Sequence, residues 1–335
     1  MKRTLLCLGM QLVFLSGVLA QDPHFSQYFA SPMTLNPALT GKGVDDWRLS
    51  TDLRSQWWGG SIKPYYTFTG ALEKTFGSGA SSPNYGAVGF MALSDQSNGG
   101  LLKNNYYSVA AAYQLSLDAS GTQQLSAGLS GTYANRILDA SRFKFQSQLG
   151  SMGFQRDLPA NDPVSILKSN YFDFNAGIYY SLNAVDHGFQ AGAALFHAGS
   201  PQEGSYENSN YNIPRRYSFQ TGGWMKSGPD NSIHVSAIAE NQAGNTIFTV
   251  GGVYKLAISD NLLRSVNIGV WERFGDAIYP YFGLETDRWL GAITYDMVHG
   301  GVSSYQSVQS LEFSFALKMG SRRTRTGAYT GLLVY

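Results

Sequence analysis

From Trp47 onward the chain alternates apolar and polar residues with period two, in short runs separated by polar, Gly-rich breaks. That period puts successive side chains on opposite faces of a half-buried strand. In 47–58, Trp47, Leu49, Leu53 and Trp57 share one face, and Arg48, Ser50, Asp52, Arg54 and Gln56 the other. In 106–117, Tyr107, Val109, Ala111, Tyr113, Leu115 and Leu117 oppose Ser108, Ala110, Ala112, Gln114 and Ser116. The same holds in 171–182, where Phe172, Phe174 and Ile178 oppose Asp173 and Asn175, and in 310–317, where Leu311 and Phe313 oppose Glu312 and Ser314. Fourteen strands are predicted, at 47–58, 65–76, 84–93, 105–117, 122–134, 170–182, 188–197, 215–226, 231–240, 246–256, 264–273, 277–286, 288–297 and 307–318. Each is close to the ~9–11 residues a tilted transmembrane strand needs.

The connections alternate in length. If the first strand starts in the periplasm, the periplasmic turns 118–121, 183–187, 227–230 and 257–263 are tight, and Asp287 alone joins another pair. The outward connections 94–104, 135–169, 198–214 and 298–306 are long. Short turns on one side and long loops on the other mark an outer-membrane barrel; a soluble sandwich has no such parity. The turn at 77–83 is longer than the rule wants. The expected fold is all-β, a transmembrane antiparallel outer-membrane β-barrel of fourteen strands with an N-terminal plug or periplasmic segment.

The polar faces carry Arg48, Asp52, Arg54, Gln56, Glu73, Asp173, Arg216, His234, Glu240 and Glu312. Against lipid these charges would be costly, so they define the lumen. Fourteen strands enclose more space than the roughly eight that side chains alone can fill. Charges of both signs predict a salt-bridged or plugged interior rather than a strongly ion-selective pore. Lys74 falls on the outward face near a strand end, where it can snorkel.

Composition agrees. Charged residues make 14% and aromatics 14% of the 335 residues, with 38 Gly. Disordered chains are charge-rich and aromatic-poor, and helical bundles need charged helices. A mean hydropathy of -0.17 argues against a multi-helix membrane protein but suits alternating strands. The formal charge of +1 leaves no electrostatic footprint for nucleic acid.

Met1-Lys2-Arg3, the apolar run from Leu5 to Leu19 and the small residue Ala20 form the three regions of a secretory signal peptide at 1–20. Cys7, the sole cysteine, would leave with it, which removes disulfides, thiol catalysis and Cys metal sites from consideration. Residues 21–46 do not alternate. They hold Ser31-Pro32 and Asn36-Pro37, and Phe25, Tyr28, Phe29, Met33 and Leu35 are too apolar for a free tail. This segment is expected to order in the lumen, at the periplasmic mouth or on a partner. The barrel is expected over 47–318, followed by a tail at 319–335. Without Lys2 and Arg3 there are 22 basic and 23 acidic residues; setting aside Lys318, Arg322, Arg323 and Arg325 leaves 18 against 23. The tail reads as a flexible basic periplasmic segment, or as an extra strand through Tyr329, Gly331, Leu333 and Tyr335.

The run from Gln21 to Gly41, QDPHFSQYFASPMTLNPALTG, resembles the N-terminal signature of the PorP/SprF family, outer-membrane proteins of the type IX secretion system of the Bacteroidota. Leu53-Arg54-Ser55-Gln56-Trp57, the segment FDFNAGIYY at 172–180, Pro214-Arg215-Arg216-Tyr217 and ISDNL at 258–262 continue the similarity, which covers about Gln21 to Leu317. The N-terminal signature is fairly specific; the strand motifs alone would be weak. The tail departs from the family's pattern. The residues matching the signature are Asp22, Pro23, Phe25, Gln27, Tyr28, Asn36, Pro37, Ala38 and Gly41, with Arg54, Gln56 and Trp57 on the first strand. The resemblance implies export or surface attachment of a cognate adhesin-like protein carrying a C-terminal type IX signal domain, often linked to gliding motility. It also implies other secretion components at the periplasmic face. The matching residues then serve either partner docking or simply the seating of the plug.

No chemistry competes strongly. The five histidines, His24, His187, His197, His234 and His299, show no metal-ligand spacing. No G-x-S-x-G nucleophile elbow is present. The expectation is therefore a non-enzymatic protein without cofactor or metal, in contact with lipid and not with nucleic acid. A porin or hydrophobic-solute channel is the alternative that the barrel pattern alone supports equally; a barrel lipid hydrolase would require a close Ser–His pair.

Overall fold

The computed structural model describes residues 22–320 except 45, 59–62, 78–83, 140–142, 156, 159–166, 204–210, 259–261 and 301–307. The expected signal peptide and residues 321–335 of the expected tail lie outside the described residues.

Fourteen strands form a closed antiparallel barrel. They are β1 (Trp47–Trp58), β2 (Tyr65–Phe76), β3 (Tyr85–Ser97), β4 (Leu102–Ser116), β5 (Gln123–Leu138), β6 (Leu167–Asn183) and β7 (His187–Phe196). Then follow β8 (Arg216–Lys226), β9 (Ser232–Gln242), β10 (Asn245–Ala257), β11 (Ser265–Arg273), β12 (Ala277–Glu285), β13 (Trp289–Val298) and β14 (Gln309–Met319). Each strand pairs with its sequence neighbours, and β1 pairs with β14 to close the ring, Arg54 opposite Glu312 and Asp52 opposite Ser314. Closure leaves no unpaired edge.

The alternation read from the sequence is the inside–outside alternation of the wall. Leu53, Phe68, Phe90, Val109, Leu129, Phe172, Phe219, Val235, Ile268 and Phe313 are exposed on the outside, while Arg48, Asp52, Arg54, Glu73, Asp173, His234 and Glu312 are buried inside. A continuous apolar exterior of this extent far exceeds what a soluble monomer shows; its natural solvent is lipid. Among the described residues no helix is long and apolar enough to cross a membrane, so the strands make the crossing.

Several details differ from the sequence reading. Trp57, expected to face outward, sits in a bulge with φ of 60°, and the register to β14 shifts between Gln56 and Trp58. The extra residue moves the outward position to Trp58, and Trp57 stacks edge-on against Tyr65 with ring centroids 4.8 Å apart. β5 and β6 run beyond their expected ends, paired as far as Leu138 and Leu167. Asn135 there donates to Asn170 at 2.6 Å. The ladder continues into the aqueous zone, where polar side chains no longer signal a strand's end. β14 also takes in Met319, which was assigned to the tail.

Two of the connections expected to be long do lie at one end, whereas the one expected at 94–104 is the turn 98–101, because β3 and β4 stay paired out to Ser97 and Leu102. Residues 139–166 and 197–215 join β5 to β6 and β7 to β8, and each carries a two-residue ladder, Leu149–Gly150 with Gly153–Phe154 and Gln202–Glu203 with Tyr211–Asn212. The same end also has a tight β9–β10 hairpin. Its two turn residues, Ala243 and Gly244, both have positive φ (54° and 80°), as a type I′ turn requires.

Residues 22–44 lie inside the barrel. Three short turns make the plug: a 3-10 turn at Tyr28–Ala30, one α-helical turn at Pro32–Leu35 and a 3-10 turn at Pro37–Leu39. The prolines start the second and third turns, where their missing N–H costs nothing. Asn36 ends one turn and caps the next, its side chain accepting from the Ala38 N–H at 2.9 Å.

Candidate functional site

The plug threads the lumen from end to end. Asp22 lies near the end that carries the long connections, against His197, Arg216 and Gln242. Gly41 and Lys42 lie at the opposite end, against Glu73, Gln124 and Ser181. The chain then turns into β1.

Between these ends the plug meets two unlike walls. The wall from β11 to β14 and on to β1 is aromatic and ionic. Phe29 is 1% exposed and contacts the rings of Trp271 and Tyr281, with centroids at 5.1 and 5.5 Å. Tyr28 meets Trp271 edge-on at 5.5 Å and shares a 2.6 Å hydrogen bond with Ser236. Burial raises the Tyr28 hydroxyl above its usual range, so it stays neutral.

Next to these rings, Glu312 accepts from the backbone N–H groups of Ser26 (2.7 Å) and Gln27 (2.6 Å). Asp296 Oδ2 accepts from the Ser26 hydroxyl (2.7 Å), Arg54 (2.9 Å) and Arg273 (2.8 Å). Arg54 also donates to the His24 carbonyl and stands 3.4 Å from Glu312. Burial holds the His24 imidazole well below its ordinary pKa, and the charges of Arg54 and Arg273 add to that shift. Asp52 is buried beside Glu312 and Arg54. Gln56 is half-buried on the same strand.

The wall from β3 to β7 makes room for the plug backbone at two glycines and holds it with Gln114, which donates to the Ala38 (3.2 Å) and Thr40 (3.4 Å) carbonyls. A Cβ on Gly128 would lie 2.5 Å from the Pro37 carbonyl, and one on Gly177 would collide with the Asn36 side chain. Only glycine lets the Asn36-Pro37 backbone lie on the strands. Asn36 then donates to the carbonyls of Ile178 (3.0 Å) and Ala193 (3.3 Å). Arg48 and Glu73 anchor the far end through a two-pronged pair (2.8 and 2.7 Å), and Glu73 also accepts from Gly41 N–H at 2.7 Å.

At the other end His197 bridges plug and wall. Its Nε2 is 2.9 Å from Asp22 and its Nδ1 3.0 Å from Asp173. Burial alone would lower its pKa, but the two carboxylates outweigh burial and lift it to about 9. The converse holds for Asp22. Burial would raise its carboxyl, but His197, Arg216 and Gln242 bring it well below the usual range. Arg216 pairs with Asp22 (3.1 Å) and Glu240 (2.6 Å) and donates to Thr34's carbonyl.

The structure therefore brings the candidate plug residues Asp22, Gln27, Tyr28, Asn36, Pro37 and Gly41 onto Arg54, Arg216, Glu312 and their neighbours. Asp173 joins through His197, and Phe25 is buried. Pro23 lines a cavity next to Asp22. Asp52 and Gln56 face the lumen without a plug hydrogen bond. Sequence reasoning missed Arg273, Asp296, His197, Trp271, Gly128 and Gly177. For Asp296 the signal was an acid at an inward position of an alternating run; the glycines gave none, because their partner is distant in sequence.

A closed fourteen-strand barrel with an apolar outer face and a polar, plugged lumen is an outer-membrane barrel. The chain belongs to the PorP/SprF family, described as "Type IX secretion system membrane protein PorP/SprF", which it matches over residues 18–317. It is thus an outer-membrane component of type IX secretion. No curated protein matches the sequence. Among solved structures the chain is similar to the Ralstonia pickettii toluene transporter TbuX (10% identity, 87% of this chain and 94% of that one, TM-score 0.49). It is also similar to a Pseudomonas aeruginosa FadL homologue (9%, 84% and 91%, 0.47) and to Haemophilus ducreyi BamA lacking POTRA domains 1–3 (10%, 81% and 70%, 0.43).

Proposed function

We propose that this protein supports the export or surface attachment of a cognate large surface protein that carries a C-terminal type IX signal domain, without catalysing a reaction. The observation carrying this reading is the lumen. It is filled along its length by residues 22–44, held by buried ion pairs and by a wall shaped to its backbone. A barrel sealed in this way suits docking better than conduction. Family membership is what supports the further reading of an adhesin-like cargo and, through it, gliding motility. Other secretion components would meet the periplasmic end, and residues 1–20 would be removed on export.

Deleting the gene is expected to strip one or a few large proteins from the cell surface. An unchanged surface proteome sinks the proposal. In a planar bilayer the purified barrel should pass little current; a large, steady conductance would favour the channel reading instead.

A further inference from the structure

The lipid-facing side of the barrel carries a layered patch at the end with the long connections, which is the outward end of such a barrel. Lys103 on β4 and Lys168 on β6 both face outward, one on each side of Ile137 on β5. The next outward row toward the membrane is Ser94, Asn105, Asn135 and Asn170, side by side across β3 to β6. Below it stand Tyr107, Tyr133 and Phe172, all exposed, with the last two ring centroids 5.2 Å apart. From the membrane outward the order is therefore aromatic, amide and ammonium.

Each layer matches one part of a lipid lying against the wall. Aromatic side chains sit at the depth where acyl chains meet headgroups. Amides both donate to and accept from hydroxyls. Ser94 with Asn105 (2.9 Å) and Asn135 with Asn170 (2.6 Å) use only part of that capacity on each other. Neither Lys103 nor Lys168 has a hydrogen bond or ion pair among the described residues. Neighbouring strands are ~4.8 Å apart, so the two lysine backbones stand ~10 Å apart, and their flexible stems can bring both ammoniums to one phosphate-bearing headgroup. Arg215, exposed just before β8, adds a third cation at this end; Asp139, two residues beyond Ile137, opposes them. The flank stays positive. At the same end of β9 to β11 the outward positions are Asn241, Thr246 and Glu272, with no cation among them. Lysines alone would suit any anionic lipid; the amide row beneath them calls for sugar hydroxyls as well.

We propose that the outer face of β3 to β6 binds a phosphorylated glycolipid of the outer leaflet, with its phosphate on Lys103 and Lys168 and its sugar hydroxyls on the Asn105, Asn135 and Asn170 amides. The site rests on the outer-membrane placement of the barrel and is independent of the export reading.

The test titrates the purified full chain, in detergent micelles, with diphosphoryl lipid A, with the same lipid stripped of phosphate, and with phosphatidylglycerol. Native mass spectrometry counts the lipid bound. Diphosphoryl lipid A should bind about tenfold or more tighter than either comparison lipid. Replacing both lysines, Lys103→Gln with Lys168→Gln, should remove about tenfold or more of that affinity. Lys103→Arg with Lys168→Arg keeps the charge and should restore it. Asn105→Ala with Asn170→Ala should weaken both forms of the glycolipid and leave phosphatidylglycerol unchanged. Glu272→Gln, on the opposite flank, should change nothing. Lipid A binding that survives the double Gln variant, or that the double Arg variant fails to restore, overturns the site. Phosphatidylglycerol binding as tightly as lipid A overturns the glycolipid assignment.

Discussion

The two walls around the plug solve the same problem by different means. From β11 round to β1 the barrel grips with bulk and charge, through Trp271, Tyr281, Arg54, Arg273, Asp296 and Glu312. From β3 to β7 it makes room, with Gly128 and Gly177 letting the Asn36-Pro37 backbone lie against the strands, where Gln114 donates to the Ala38 and Thr40 carbonyls. A large side chain can reach across a gap and a missing one can remove it, so a barrel too wide to fill itself can still hold a small irregular insert.

The largest effect should come from the charged wall. Arg54→Ala leaves the buried Asp296 and Glu312 carboxylates short of a partner, with an expected loss of ~3–5 kcal/mol. Urea unfolding in micelles measures it; a loss below about 1 kcal/mol would mean the network is solvated and the contrast between the walls is overstated.

At its glycines the other wall should respond to addition rather than removal. Gly128→Val drives a side chain into Pro37 and Ala38 and should cost ~1–3 kcal/mol. It should also raise single-channel conductance as the plug shifts. Gly131→Ala is the control. Its Cβ would meet nothing nearer than Phe174 at 3.9 Å, and it should leave both readouts unchanged.

The plug's first residues depend on pH in both directions. The His197 pKa is raised above its unfolded value, so its contribution is complete below about pH 6.5 and is lost as pH rises through about 9. Asp22 is lowered, so its contribution is present above the ordinary carboxylate range and lost only in strong acid. Protease cleavage near residue 22 should therefore accelerate above pH 9 in the wild type. In His197→Gln it should be faster at pH 7 and flat across that window; an unchanged alkaline rise in the variant would remove His197 from the account.

The smallest effect is expected outside both walls. Lys74 snorkels from the lipid-facing surface to Asp46 (3.0 Å) and over the Trp47 ring (4.3 Å). Lys74→Ala should cost no more than ~1 kcal/mol in the same urea assay.

Much of this was legible beforehand for one physical reason. A wall with lipid outside and polar groups inside imprints a strict period of two, so strand number, facing and the positions of Arg48, Asp173 and Glu312 could be read directly. Trp57 escaped because a bulge breaks that period by one residue. The ends of β5 and β6 escaped because outside the membrane the imprint fades.

The partnerships were not legible. Nothing local in 21–46 says that Ser26 and Gln27 will cap Glu312, nearly three hundred residues away, or that Gly177 makes room for Asn36. By itself the sequence determined a fourteen-strand barrel, its inside and its outside, and a segment too apolar to be free. Only the tertiary structure decided that this segment fills the lumen, that one wall holds it by aromatic and charged side chains, and that the other opens to its backbone at Gly128 and Gly177. Periodicity is a property of neighbouring residues in one solvent gradient; the fit of a plug depends on strands that meet only when the barrel closes.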